Sequence, residues 1–201
     1  MIHNKYFEIM GQFLKGYNKE IYGRELIKKV SISQKNIALT LGELEEQGIL
    51  SSKKNGSLKY YYLNKQNPNT RKYLILAEIW KSIRFFEKNS KINHLFEKIE
   101  KSNNIFCIFG SYAKGLEKRD SDLDVFIIGN VNVNVNVNDR EIKKIADTYN
   151  INLSIKKGKK SDFIEMLKKS NPLMNEILEN HIIISGYEEF VEGVLNQKWQ
   201  V

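Results

Sequence analysis

Residues 109–129 read Phe-Gly-Ser-Tyr-Ala-Lys-Gly-Leu-Glu-Lys-Arg-Asp-Ser-Asp-Leu-Asp-Val-Phe-Ile-Ile-Gly, and their reading decides the fold of the second half of the chain. Gly110 and Ser111 close an apolar run, Ile105 to Phe109, that has the length and composition of a buried strand. A strand that ends in Gly-Ser and turns into a helix presents free backbone N–H groups, which suit a phosphate. Asp122 and Asp124 follow, and then a second apolar run, Val125 to Ile128. Period-two spacing puts both carboxylates on one face of that second strand. Two carboxylates held so close repel each other unless a cation sits between them, and hard divalent ions take oxygen ligands. A phosphate cradle beside a Mg²⁺ clamp is a minimal kit for phosphoryl or nucleotidyl transfer.

Gly-Ser, ten residues, then Asp-x-Asp between two apolar strands resembles the DNA polymerase β-like nucleotidyltransferases, and most of all their minimal prokaryotic members. Those members include the nucleotide-transferring antitoxins. The resemblance covers roughly residues 103–190. It implies that Gly110 and Ser111 hold the phosphates of an NTP, with Lys114 as a charge partner. It further implies that Asp122 and Asp124 are the catalytic, Mg²⁺-binding pair. The reaction implied is transfer of NMP from the NTP to a hydroxyl, with release of pyrophosphate. The acceptor could be a tyrosine of a partner toxin, a small molecule or RNA. In active relatives a third carboxylate stands on the outward face of the next strand. Here that strand reads Ile151-Asn152-Leu153-Ser154-Ile155-Lys156, so the position is Asn152 or Ser154. The departure keeps a second reading open, in which a degenerate transferase domain senses a nucleotide or dimerises.

The charge is uneven along the 201 residues, whose formal net charge is +8. Residues 1–66 hold 11 basic and 6 acidic side chains, net +5, and residues 67–103 hold 8 and 4, net +4. Residues 104–201 hold 13 and 14, net −1, so the whole basic excess lies ahead of the transferase-like segment. This asymmetry points to a nucleic-acid-facing first half. No apolar run approaches the ~20 residues of a membrane span, and the first residues lack a signal-peptide core. A cytoplasmic protein is expected. Cys107, the one cysteine, has no internal partner for a disulfide, and no His/Cys cluster suggests zinc.

Residues 4–66 divide into three short helical patterns and a hairpin. The first, Tyr6 to Leu14, stops at Gly16, and the second spans Tyr22–Val30. In the third, which Ser33 caps, Ile37, Leu41, Leu44 and Leu50 bracket Thr40, Glu43, Glu45 and Glu46, with Gly48 at the stop. Two strands around Asn55-Gly56 follow, ending in Tyr60-Tyr61-Tyr62. The order, with Leu-Gly-Glu-Leu-Glu-Glu-Gln-Gly-Ile-Leu at residues 41–50, resembles the winged helix-turn-helix of prokaryotic transcription regulators. That resemblance implies contact with duplex DNA. Ser31, Ser33, Gln34, Lys35, Asn36 and Thr40 would face the major groove, and Lys53, Lys54 and Lys59 would meet phosphates from the wing.

Pro68 marks a boundary, and Thr70 is placed to cap a long helix with Trp80 and Phe86 on its apolar side. Those aromatics predict packing between domains or across a homodimer axis. The Val-Asn repeat from Val131 to Asn138 reads as a strand extension or hairpin at a sheet edge. The expected architecture is α+β. It comprises a winged helix-turn-helix domain (1–66), a helical connector (67–103) and a nucleotidyltransferase domain with a mixed sheet (104–201).

Overall fold

A computed structural model describes residues 5–99, 104–129 and 139–196. The chain divides into two compact units, 1–80 and 81–201, so the division falls inside the expected connector. The Val-Asn repeat lies outside the described residues.

The first unit opens with α1 (Lys5–Met10), which tightens into a 3₁₀ turn at Gly11–Phe13. The expected second helix is instead a two-residue strand β1 (Ile21–Tyr22) followed by a 3₁₀ helix, Gly23–Lys28. Then come α2 (Gln34–Glu46), β2 (Leu50–Asn55) and β3 (Leu58–Leu63). The Ser33 hydroxyl accepts a hydrogen bond from the Asn36 amide at 3.3 Å, so Ser33 caps α2 as read. Asn55 pairs with Leu58, which leaves Gly56-Ser57 as the two-residue loop, with Gly56 at φ +59°. The hairpin is therefore where the sequence put it, turned one residue later. β1 adds to its far side in the order β1-β3-β2, and the Tyr22 and Tyr60 rings meet 6.0 Å apart across that pairing. Ile9, Phe13, Leu14, Ile21, Leu26, Ile37, Leu41 and Leu44 form the buried interior.

The helix α3 (Pro68–Lys88) starts at Pro68, where a missing N–H costs nothing. Thr70 is not its cap. The Thr70 hydroxyl is buried and donates toward the Asn64 carbonyl at 2.7 Å and the Ile49 carbonyl at 3.2 Å, tying the helix to the hairpin. Trp80 is half-buried, its ring 6.0 Å from that of Phe7. Phe86 is half-buried in the second unit and edge-on to Phe85.

In the second unit, α4 (Ser90–Glu97) precedes β4 (Ile105–Phe109), a short helix α5 (Gly110–Lys114) and β5 (Leu123–Gly129). α6 (Asp139–Thr148), β6 (Leu153–Lys159), α7 (Lys160–Lys168), α8 (Pro172–Glu179), β7 (Ile182–Ser185) and α9 (Tyr187–Leu195) complete it. The sheet order is β6-β5-β4-β7, with β5 and β6 parallel and the other pairs antiparallel. This is the expected mixed sheet. One face packs Phe106, Ile108, Leu123, Val125 and Ile127 against Ile92, Leu95 and Phe96 of α4 and Ile142 and Ala146 of α6. Alternation sends Cys107, Phe126 and Ile128 to the opposite face, where α7 neighbours β5 and β6 and α9 neighbours β4. There Phe163 and Phe190 stack at 5.7 Å, and His181, buried, shares a 2.8 Å hydrogen bond with the Ile177 carbonyl.

Candidate active site

The antiparallel pairing of β4 with β5 sets Phe109 opposite Asp124. The chain then turns sharply into α5 through Gly110, at φ +68°, a conformation that L side chains rarely adopt. A Cβ at Gly110 would overlap Asp124 Oδ2 and lie 3.2 Å from its Cγ. Gly110 therefore does two things: it permits the turn, and it leaves room for the carboxylate against the backbone. Ser111, half-buried, stands in the first turn of α5, beside the amides that open the helix. Gly-Ser and Asp124 are one constellation, although 12 residues stand between Ser111 and Asp124.

Asp122 lies one residue ahead of β5 rather than within it, and it is exposed, whereas Asp124 is half-buried. The connecting loop is fixed by the Lys118 amide, which donates to Ser121 Oγ at 2.8 Å, and by the Ser121 amide, which donates to the Lys118 carbonyl at 3.0 Å. Lys114, read as a phosphate partner, sits in the last turn of α5 with its ammonium 2.7 Å from Glu176 on α8. Its charge thus has a carboxylate partner within the unit. Burial, and the nearby Glu117 carboxylate, push the Tyr112 hydroxyl above its usual pKa, so it stays a neutral donor.

The parallel register of β5 with β6 distinguishes the two candidates for a third ligand. Ser154 is the partner of Asp124, while Asn152 precedes the strand and accepts from the Leu123 amide through its carbonyl, at 2.7 Å. β6 starts two residues later than the expected strand and runs on to Lys159. Its Lys156 shares the Asp124 face one pleat beyond Ser154, a position that the sequence reading passed over. Among the described residues no cluster of three Asp, Glu, His or Cys side chains could hold a metal. The oxygen donors here are two carboxylates and a hydroxyl, a hard set that suits Mg²⁺ and is poor in negative charge.

Residues 89–185 match the nucleotidyltransferase domain family. No curated protein and no solved structure gives a significant match. The matched span takes in α4, the Gly110-Ser111 turn, both carboxylates and Ser154, and ends with β7. Transfer of a nucleotidyl group is the general activity of such domains.

The residues assigned to nucleic acid lie in the first unit. Ser33, Gln34, Lys35 and Asn36 are exposed on the first turn of α2 and its cap, as a contact surface requires. Thr40 is not. It is fully buried, because residues 37, 40, 41 and 44 form the inward stripe of α2. Exposed Ala38 and Leu39 continue the outward face instead. On the β2–β3 hairpin, Lys53 pairs with Glu20 at 2.6 Å and Lys59 with Glu45 at 2.6 Å. The Glu45 carboxyl is held below the usual carboxylate range by Lys59 and then by the Ser52 hydroxyl, and the same bond raises Lys59. Lys54 is exposed, with no ion pair among the described residues. No helix among the described residues is long and apolar enough to cross a membrane.

Proposed function

We propose that the second unit transfers NMP from an NTP to a hydroxyl acceptor, and that the first unit is a winged helix that brings it to nucleic acid. The observation that carries the transfer reading is the close approach of Asp124 to the side-chain-free Gly110, which supports a metal-binding carboxylate lying beside the turn that would hold phosphate. Asp122 and Asp124 would hold Mg²⁺, which supplies positive charge to the phosphate oxygens when bound. Gly110 and Ser111 hold the phosphates through backbone N–H groups and the hydroxyl. Lys114, oriented by Glu176, adds a cation to that cradle. The acceptor oxygen bonds to the α-phosphorus, the bond to pyrophosphate breaks, and the hydroxyl proton passes to solvent. A toxin side chain, a small molecule and an RNA end all present such a hydroxyl. Exposed Gln34, Lys35, Asn36 and Lys54 support duplex DNA as a partner of the first unit, in a cytoplasmic setting.

Incubation with labelled NTP, with and without Mg²⁺, should release pyrophosphate only with the metal. If the protein binds no NTP in Mg²⁺, the transfer reading falls. A second reading is favoured by one observation, the hydroxyl of Ser154 standing across from Asp124. There the second unit binds a nucleotide or a second copy of the chain without catalysis, and the first unit regulates transcription. NTP binding without pyrophosphate release would select it.

A further inference from the structure

A cavity of about 210 Å³ opens in the first unit between the 3₁₀ helix Gly23–Lys28, α2 and the β1–β3 ladder. Buried Ile37 and Leu41 form its floor, half-buried Tyr22 and Tyr61 its walls, and exposed Arg24 and Gln34 its rim. We infer that this cavity holds a single unpaired base of a nucleic-acid strand, with Arg24 meeting the adjoining phosphate. The inference builds on the nucleic-acid reading of the first unit but replaces groove contact with capture of one base.

Size is the first argument. Drug-sized ligands occupy roughly 300–1,000 Å³, so this cavity suits one ring system rather than a larger molecule. Chemistry is the second. Two phenol rings over an aliphatic floor favour a flat, polarisable group, and base–aromatic stacking is insensitive to which base is present. An aliphatic occupant would leave the polar rim idle. The rim supplies an amide at Gln34, able both to donate and to accept toward a base edge, and a guanidinium at Arg24.

Charge is the third argument. Lys59 also lines the cavity, but its ammonium is bound to Glu45 at 2.6 Å and lies 5.0 Å from the centre of the Tyr61 ring. Arg24 has no ion pair or side-chain hydrogen bond among the described residues. It is therefore the cation left for an anionic ligand. Position is the fourth. Gln34 belongs both to the rim and to the exposed first turn of α2, beside Lys35 and Asn36. A strand following that turn passes the mouth of the cavity, and a base can enter only if it is unpaired.

The chemistry of a flat ring joined to an anion is shared by a strand, a free mononucleotide and the end of a frayed duplex. The test uses the full-length chain without Mg²⁺, so that the second unit does not contribute metal-dependent binding. Fluorescence anisotropy would compare a labelled 12-nucleotide single-stranded RNA, the same sequence as single-stranded DNA, its blunt duplex, and AMP as a competitor. The expected result is that a single strand, RNA or DNA, binds about tenfold tighter than the duplex. Ala38→Trp, which fills the mouth from an exposed helix position, should remove that advantage, as should Arg24→Glu. Loss of one stacked base is worth about that factor. Unchanged thermal melting of either variant would show that the fold survives. Duplex binding equal to or tighter than the single strand overturns the inference and leaves the winged-helix reading standing. Full competition by AMP at the strand's own affinity overturns it in favour of a free nucleotide. Retained preference in both folded variants overturns it as well. If no nucleic acid binds at all, both readings of the first unit fall.

Discussion

The two units differ in how the charges of their candidate ligand-facing residues are met. In the first, three cations that look available in the sequence are matched by carboxylates of the same unit, Lys5 by Glu43, Lys53 by Glu20 and Lys59 by Glu45, while Arg24 and Lys54 have no ion pair among the described residues. In the second, Asp124 has a glycine on one side and a serine hydroxyl on the other, and neither neighbour supplies a cation. A surface that balances its own charge is stable without a ligand. A half-buried carboxylate with no ion pair among the described residues leaves its balance to something that binds. Net charge places the basic excess in the first half of the chain, yet the sharper electrostatic demand for a partner lies in the second.

The largest expected effect breaks the second half of that comparison. Asp124→Asn should lower any Mg²⁺-dependent transfer by on the order of 10²–10³, as losing one preorganised electrostatic contact at a reacting centre does. Asp122→Asn should act alike, although it is exposed, because each removal costs the metal a hard oxygen ligand. Isothermal titration with NTP in Mg²⁺ and unchanged melting would separate loss of the site from loss of the fold. Ser154→Asp sharpens the same point in reverse. It should raise transfer, while Asn152→Asp, outside the strand, should do less. If wild-type transfer exceeds that of both variants, Ser154 is not a vacated ligand position.

Gly110→Ala comes next. Its φ of +68° and the overlap of a new Cβ with Asp124 should together cost on the order of 3 kcal/mol. Gly115 has nearly the same φ, +66°, but open space around its Cα. Gly115→Ala should therefore cost only about 1 kcal/mol, as for the backbone alone. Urea denaturation of the two variants isolates the carboxylate contact. Equal losses would mean that Asp124 is free to move away from Gly110.

These contrasts also show which parts of the molecule the sequence made legible. The turn at Gly110 between two apolar strands could be read because only glycine suits its positive φ and its close approach to Asp124. The hairpin could be read because Gly56 supplies the positive φ that its two-residue loop needs. Thr40 could not be placed, since its side of α2 depends on helix phase, and a threonine between Leu39 and Leu41 reads as polar wherever it points. β1 is two residues long, too short for any periodicity, and exists because β3 offers it an edge. The pairing of Lys59 with Glu45 joins residues on different elements through flexible stems, and spacing carries no trace of it. The cavity beside α2 draws on three separate segments and was equally hidden.

Trp80→Ala tests whether the expected aromatic face matters where it is half-covered. Only part of the indole is removed from water, and Phe7 is its ring partner, so the loss should be about 1–2 kcal/mol rather than that of a fully buried tryptophan. The self-balanced charges predict an acid response. The Glu43 and Glu45 carboxyls are held below their ordinary pKa, Glu43 by Lys5 and then Tyr6, and Glu45 by Lys59 and then Ser52. A depressed folded pKa gives stability that is complete above the unfolded value, about 4.3, and is lost as pH falls through the folded one. Glu45→Gln should therefore flatten the decline in melting temperature below that pH. At neutral pH it should free Lys59 and steepen the salt dependence of nucleic-acid binding by about one phosphate contact. An unchanged salt slope would remove Lys59 from the contact surface.

The smallest effect concerns a polar group that the first unit leaves uncompensated. Thr40 Oγ1 is buried in the α2 stripe with no hydrogen-bond partner among the described residues. Its neighbours on that stripe, Ile37, Leu41 and Leu44, are aliphatic, so the hydroxyl forfeits its bonds to water and regains nothing. Thr40→Val keeps the branched shape while removing the unsatisfied group, and the lower helix propensity of a β-branched residue is the same in both. Stability should therefore rise, by about 1 kcal/mol. The change should leave nucleic-acid affinity untouched, because the side chain faces the core. A drop in affinity in a variant that melts higher would return Thr40 to the contact surface, which would require α2 to rotate when it binds.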